Sequence, residues 1–234
     1  SQYSSVKQSH VNQNNWIIEP TVNFNFSKTN SKWDFLIGST FEERNQTNFS
    51  IEASNFISND FILNTKSAAN QRILSDTETI YRYSAIFGRI NYNLLDKYII
   101  NVTGRRDGSS RFGDNNRFGN FAAAGATWIF SQTKLIEELS WLNFGKLRAS
   151  YGTSGSDLIG DYQYLNTYGI NFQKYDNEIA LDPLRLYKPN FSWETNKKIE
   201  AALELEFFSG TLATSVAWYQ NRSSSQLVGI PLPG

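Results

Sequence analysis

The chain has 234 residues, with 22 Lys plus Arg against 22 Asp plus Glu, so its formal net charge is zero, and aromatic residues make up 15%. Zero net charge gives no long-range pull toward nucleic acid or anionic lipid, and the absence of Cys excludes disulfides, thiolate metal sites and a cysteine nucleophile. The single histidine, His10, lies in a polar stretch and lacks the partners a zinc site needs.

No signal peptide opens the sequence, so any targeting segment lies upstream or has been removed. No run of 18 apolar residues occurs, which excludes a membrane-spanning helix. Mean hydropathy is negative. A membrane barrel gives the same numbers, because its strands are apolar only at every second position.

The first predicted strand is Trp16 to Phe26, with Trp16, Ile18, Val22, Phe24 and Phe26 on one side. A polar turn at 27–31 leads to a second strand, Lys32 to Phe41. Residues 42–80 are rich in Asn, Ser and Thr and read as a long loop, with a helical turn around Ser67 to Leu74. The third strand is Tyr81 to Leu94, and the turn at 95–97 joins it to the fourth, Tyr98 to Asp107. A Gly- and Ser-rich loop, 108–118, precedes the fifth strand, Gly119 to Phe130. Leu135, Ile136, Leu139 and Leu142 then fall at the spacing of a short amphipathic helix within 131–144.

The sixth strand is Gly145 to Gly152. A loop follows to Thr195, carrying Tyr162, Tyr164, Tyr168, Phe172, Tyr175, Tyr187 and Trp193, with Pro183 and Pro189. The seventh strand alternates most clearly. Ile199, Ala201, Leu203, Leu205 and Phe207 share one face, while Lys198, Glu200, Glu204 and Glu206 share the other. Ser209-Gly210 turns the chain into the eighth strand, Thr211 to Asn221.

The connections alternate short and long, so every long loop leaves from one end of the sheet. Outer-membrane barrels have this asymmetry, with short periplasmic turns and long extracellular loops. The predicted strands, at about 8 to 14 residues, bracket the roughly 9–11 that cross a bilayer when tilted. Aromatics gather near strand ends at Trp16, Phe26, Trp33, Phe41, Tyr81, Tyr98, Trp128, Phe130, Phe207 and Tyr219, as interfacial girdles do. A soluble sheet with its wet and dry faces exchanged would alternate in the same way. The pattern fixes amphipathicity, not which face is wet.

No catalytic constellation is present. There is no His near a Ser and Asp set, and the carboxylate pairs Glu42-Glu43 and Glu137-Glu138 read as solvated charges. In Asp107-Gly108-Ser109-Ser110-Arg111-Phe112-Gly113 the glycines permit positive φ, and Arg105, Arg106, Arg111 and Arg117 supply counter-charge. Asp107, Asp114 and Asn115 are hard oxygen donors, but their spacing departs from an EF-hand, and a hydrogen-bonded turn is the better reading. The Tyr-rich loop is the best recognition candidate. Tyr162, Tyr164, Tyr168 and Trp193 are the expected substrate contacts, against the alternative that these rings pack loops together.

Three stretches resemble the SusC/RagA family of TonB-dependent outer-membrane transporters of Bacteroidetes. One runs from Phe87-Gly88-Arg89-Ile90-Asn91-Tyr92-Asn93-Leu94-Leu95-Asp96-Lys97-Tyr98 through Arg105-Arg106-Asp107-Gly108-Ser109-Ser110-Arg111-Phe112-Gly113 to Asn116-Arg117-Phe118-Gly119. Another is Lys146-Leu147-Arg148-Ala149-Ser150-Tyr151-Gly152-Thr153-Ser154-Gly155, and the last is Asn190-Phe191-Ser192-Trp193-Glu194-Thr195 followed by Pro231-Leu232-Pro233. Residues 83–234 carry the resemblance, while residues 1–80 match only in strand pattern.

The resemblance implies an all-β fold: an antiparallel transmembrane β-barrel portion of about eight strands, from a barrel of roughly 22. The whole chain, 1–234, would then be barrel, with the plug and the TonB-contacting segment outside it. An open arc leaves two sheet edges that lipid cannot satisfy, which points to a fragment or part of a longer chain. The implied function is active import of an oligosaccharide or peptide with a SusD-like surface lipoprotein, TonB and outer-membrane lipid as partners, and with no cofactor. A porin-like channel and a surface-adhesion protein are the alternatives.

Overall fold

The computed structural model describes residues 4–175, 178–185 and 190–226. The strands are β1 (Ser5–Ile18), β2 (Thr21–Lys28), β3 (Ser31–Phe56), β4 (Ala68–Leu94), β5 (Tyr98–Ser109), β6 (Phe118–Trp128), β7 (Leu142–Ser156), β8 (Thr167–Tyr175), β9 (Glu178–Arg185), β10 (Glu194–Phe207) and β11 (Leu212–Ser224). One α-helix, α1 (Lys134–Glu137), interrupts them. Nine strands form one sheet in the order β1-β3-β4-β5-β6-β7-β10-β11, with β2 also paired to β3, and β8 with β9 forms a separate two-stranded sheet.

The chain divides into two compact units. The first comprises residues 1–18 and 42–82 and holds β1 with the distal parts of β3 and β4. Its pairing rests on polar side chains: Asn45 Nδ2 donates to Glu78 Oε1 at 2.9 Å, Arg82 Nε to Glu43 Oε2 at 2.7 Å, and Ser9 Oγ to Asn48 Oδ1 at 3.3 Å. Arg44 pairs with Glu42 at 2.9 Å and lies 5.6 Å from the Tyr81 ring centroid.

This unit corrects the expected loop at 42–80. The segment continues β3 to Phe56, turns through two short 3-10 stretches at 59–61 and 65–67, and returns as β4 from Ala68. The helical turn expected at Ser67 to Leu74 is strand from Ala68 onward. Apolar alternation marks strands with one dry face, whereas cross-strand pairs of Asn, Ser, Glu and Arg hold this hairpin without it.

The second unit comprises residues 19–41 and 83–234. Its sheet runs β2-β3-β4-β5-β6-β7-β10-β11, with β2 antiparallel to β3 and every neighbouring pair from β4 to β11 antiparallel. The first expected strand is split at Glu19-Pro20, because proline cannot donate to a ladder. Instead, the Pro20 carbonyl accepts from Ser39 N at 3.1 Å.

Register sorts the side chains onto two faces. Tyr92, Ile100, Ala126, Ala149, Ala201 and Trp218 lie opposite one another across six strands. So do Leu94, Tyr98, Trp128, Leu147, Leu203 and Val216. This aliphatic and aromatic face is exposed in the isolated chain. One residue along, the other face carries the row Asn91, Asn101, Gly125, Ser150, Glu200 and Tyr219. Tyr219 therefore opposes Glu200 on the polar face and is not part of the apolar one.

Aromatic rings band the short-turn end. Trp33 lies 4.2 Å from Tyr92, Tyr98 stacks on Trp128 at 6.5 Å, Trp128 meets Phe130 edge-on at 5.7 Å, and Trp141 stacks on Phe207 at 5.9 Å. The short turns bond to each other: Leu95 N to Asn30 O, Ile129 N to Lys97 O, and Phe208 N to Trp141 O. The expected helix at 131–144 shrinks to α1 plus a 3-10 turn at 130–132, and β7 already begins at Leu142. So few residues cannot repay helix nucleation.

Leu95 and Asp96 both adopt positive φ (58° and 53°), the geometry of a primed hairpin turn. Lys32 Nζ at 2.8 Å and Asn93 Nδ2 at 2.7 Å donate to the Asp96 carboxylate. These bonds, the lysine's first, hold its carboxyl below the ordinary 3.8. A depressed carboxyl stabilises the turn above its unfolded-state value, and the contribution is lost as pH falls through the lowered folded value. A 13C carboxyl titration of Asp96 should therefore show a midpoint below 3.8. A midpoint at or above that value would remove the Lys32 contact from this account.

Candidate functional site

The polar face of β7 and β10 carries a charge ladder. Lys146 and Arg148 alternate along β7, while Glu200 and Glu204 lie two rungs apart on β10. Arg148 contacts Glu200 at 3.0 Å and Glu204 at 3.4 Å, and Lys146 contacts Glu204 at 3.1 Å. Further along this face Arg89 pairs with Asp34 at 3.2 Å. Each of these charges has a partner of opposite sign, which makes this part of the face a polar, hydrogen-bonding wall. Such partly exposed pairs contribute little to stability, about 0–1 kcal/mol each.

Above the ladder, the same face holds a hollow of about 420 Å³ between Phe87, Phe121, Arg89, Arg105, Thr103 and Leu36. Arg105 sits 5.9 Å from the Phe87 ring centroid. It also donates to both oxygens of Asp107 at 2.9 Å and to Tyr83 Oη at 2.7 Å. Two rings and a guanidinium on one wall can take a ligand with an apolar face and a polar edge.

The Asp107–Gly113 motif anchors the loops at the long-loop end. Ser109, 1% exposed, donates to Asp157 Oδ2 at 2.7 Å. Arg111 donates to Asp161 Oδ1 at 2.9 Å and to the Asp157 carbonyl at 3.1 Å. Phe112, fully buried, has its ring 5.2 Å from that of Trp193, which in turn meets Phe121 edge-on at 5.7 Å, and Tyr83, Ile159 and Phe191 close around the three. Trp193 Nε1 donates to the Arg117 carbonyl at 3.2 Å.

Several expected roles change here. Neither Gly108 nor Gly113 takes positive φ. A Cβ at Gly108 would come within 2.7 Å of the Phe118 ring, so any side chain there would have to push that half-exposed ring aside. Asp114 accepts from Arg117 at 2.5 Å in the expected turn, whereas Asp107 lies within β5 and accepts from Arg105 on the same strand.

The four expected contact residues separate in space. Trp193 is 7% exposed inside the aromatic core, where its ring is covered. Tyr162, at φ 58°, and Tyr164 are half-buried in the turn that Asp157 and Asp161 anchor. Tyr168 stands 59% exposed at the start of β8. Residues 167–175 and 178–185, expected as loop, form β8 and β9, which pair antiparallel. Tyr187, Pro189 and Pro231-Leu232-Pro233 lie outside the described residues. Sequence reasoning missed Ser109, Arg111 and Phe112 as loop anchors, because Asp157, Asp161 and Trp193, which they hold, lie 46 to 81 residues away in the chain.

An antiparallel meander with one aliphatic face, one ion-paired face and an aromatic band at its short-turn end is the wall of a transmembrane β-barrel. All 234 residues match the family described as "TonB dependent receptor-like, beta-barrel". The chain is 32% identical over 177 residues to TonB-dependent receptor P39 of Formosa agariphila, covering 75% of this chain and 17% of that protein. It is 30% identical over 153 residues to TonB-dependent receptor SusC of Bacteroides thetaiotaomicron, covering 63% of this chain and 15% of that one. Among solved structures, the RagAB peptide transporter aligns over 99% of this chain and 26% of its own, at 25% identity and a TM-score of 0.86. The chain belongs to the TonB-dependent receptors, within the SusC/RagA group, and spans about a quarter or less of the length of these relatives.

Proposed function

We propose that this chain supplies barrel wall and outer loops to a bacterial outer-membrane importer that takes up an oligosaccharide or peptide, driven by TonB. The carrying observation is the segregation of faces: aliphatic rows for acyl chains, and an ion-paired wall with a hollow at Phe87 and Phe121 for a wet lumen. In this reading the TonB contact and the plug belong to other segments of the full protein, and a SusD-like surface lipoprotein sits over the long loops. Tyr162, Tyr164 and Tyr168 contact the substrate from the anchored loop, and Trp193 holds that loop in place.

Uptake of labelled substrate by cells carrying the full-length receptor tests this. Import should stop when TonB is deleted. Tyr162→Ala with Tyr164→Ala and Tyr168→Ala should weaken substrate binding roughly tenfold or more, given about 0.5–1.5 kcal/mol per aromatic contact. TonB-independent uptake would favour a porin-like channel. Binding to surfaces without uptake would favour adhesion.

A further inference from the structure

On the aliphatic face, the row Gly88–Gly104–Ala122 runs across β4, β5 and β6 with almost no side chain. It forms the floor of an apolar hollow of about 420 Å³ rimmed by Val22, Phe24, Ile37, Ile90 and Val102. A Cβ built on Gly104 would meet nothing within 4 Å, so the space over this row is open. The next row toward the long-loop end is Ile86–Arg106–Asn120. Arg106 is thus on the same face as Gly104, about 7 Å further along the strand.

A cation on that face is costly unless something satisfies it. Arg106 lies 4.8 Å from the centroid of Phe118 and donates to Asn120 Oδ1 at 3.4 Å. Among the described residues no carboxylate is paired with it, whereas Arg89, Arg105, Arg111, Arg117 and Arg148 each have one. Its guanidinium therefore offers free donors beside an empty acyl-sized hollow.

We propose that Arg106 and the Gly88–Gly104 hollow form a lipid site, in which Arg106 holds a phosphate and the hollow takes an acyl chain of the same molecule. The long-loop end places the site in the outer leaflet, whose phosphorylated acyl lipid is lipid A. The proposal rests on the membrane reading of this face and requires nothing about transport.

The test uses the full-length receptor extracted in detergent, with folding checked by heat-modifiable migration on gels, and phosphorylated lipid A as the probe. Wild type should retain it, and Arg106→Gln should bind about tenfold more weakly, as expected for loss of a charge-assisted bond. Gly104→Ile should weaken binding similarly by filling the hollow. Dephosphorylated lipid A should bind wild type no better than Arg106→Gln does. Equal binding by wild type and both folded variants overturns the site, as does equally tight binding of phosphatidylglycerol. A wild type that leaves the membrane fraction without detergent overturns the membrane reading itself, which separates the two failures.

Discussion

Leu203→Arg should prevent most of the full receptor from assembling in the membrane, while Glu204→Gln leaves assembly near wild type. Leu203 lies in the aliphatic row with Leu147 and Val216 on either side. An arginine at mid-membrane on a lipid-facing position costs about 2–4 kcal/mol. It also sits among neighbours with no carboxylate to offer. Glu204, one residue on, faces the other way and meets Lys146 and Arg148. Its amide keeps a hydrogen-bonding role, and a half-exposed pair of this kind contributes about 0–1 kcal/mol. Heat-modifiable mobility of the two variants in outer-membrane fractions gives the comparison. Equal, mild effects would falsify the assignment of faces on β10.

Phe112→Ala should free the loop at 157–166 while leaving the strands paired. The ring is fully buried between Trp193 and the Phe121 side of the sheet. Deleting a buried phenylalanine costs about 3–5 kcal/mol through lost burial and the cavity left behind. The cost falls on the loop core, because the β5–β6 and β7–β10 ladders do not depend on that ring. Limited proteolysis of the reconstituted receptor should show new cleavage between residues 157 and 166. Leu158→Ala, at a side chain 87% exposed, serves as the matched control and should leave the pattern unchanged. If both variants resist protease equally, the aromatic cluster does not hold the loop. Because Phe121 also lines the lumen hollow, the Phe112 variant should weaken substrate binding as well.

The amphipathic strands were legible because their physics is local. Alternation at Ile199, Ala201, Leu203 and Leu205 against Glu200, Glu204 and Glu206 reports one apolar and one polar face, and the fold carries it unchanged into β10. The hairpin at 42–80 was not legible, since Asn45, Asn48, Glu78 and Ser75 stabilise strand pairing through partners about 30 residues apart and leave no periodic mark. The short helix at 131–144 failed for the opposite reason: a local apolar spacing was present, but Leu142 begins β7 and Trp141 stacks on Phe207 from the turn before it.

The candidate site divides in the same way. Residue types near the motif Asp107–Gly113 signalled a structured loop, and composition alone marked the Tyr-rich segment as a surface for recognition. Only the folded chain decided that Trp193 belongs to a buried core with Phe112, and that Arg111 reaches Asp161 rather than a neighbour. Which face a residue occupies follows from its position along a strand, because side chains alternate strictly. Which distant residue it meets follows from register and loop closure, and those are set by the sum of many long-range contacts that no short stretch of sequence contains.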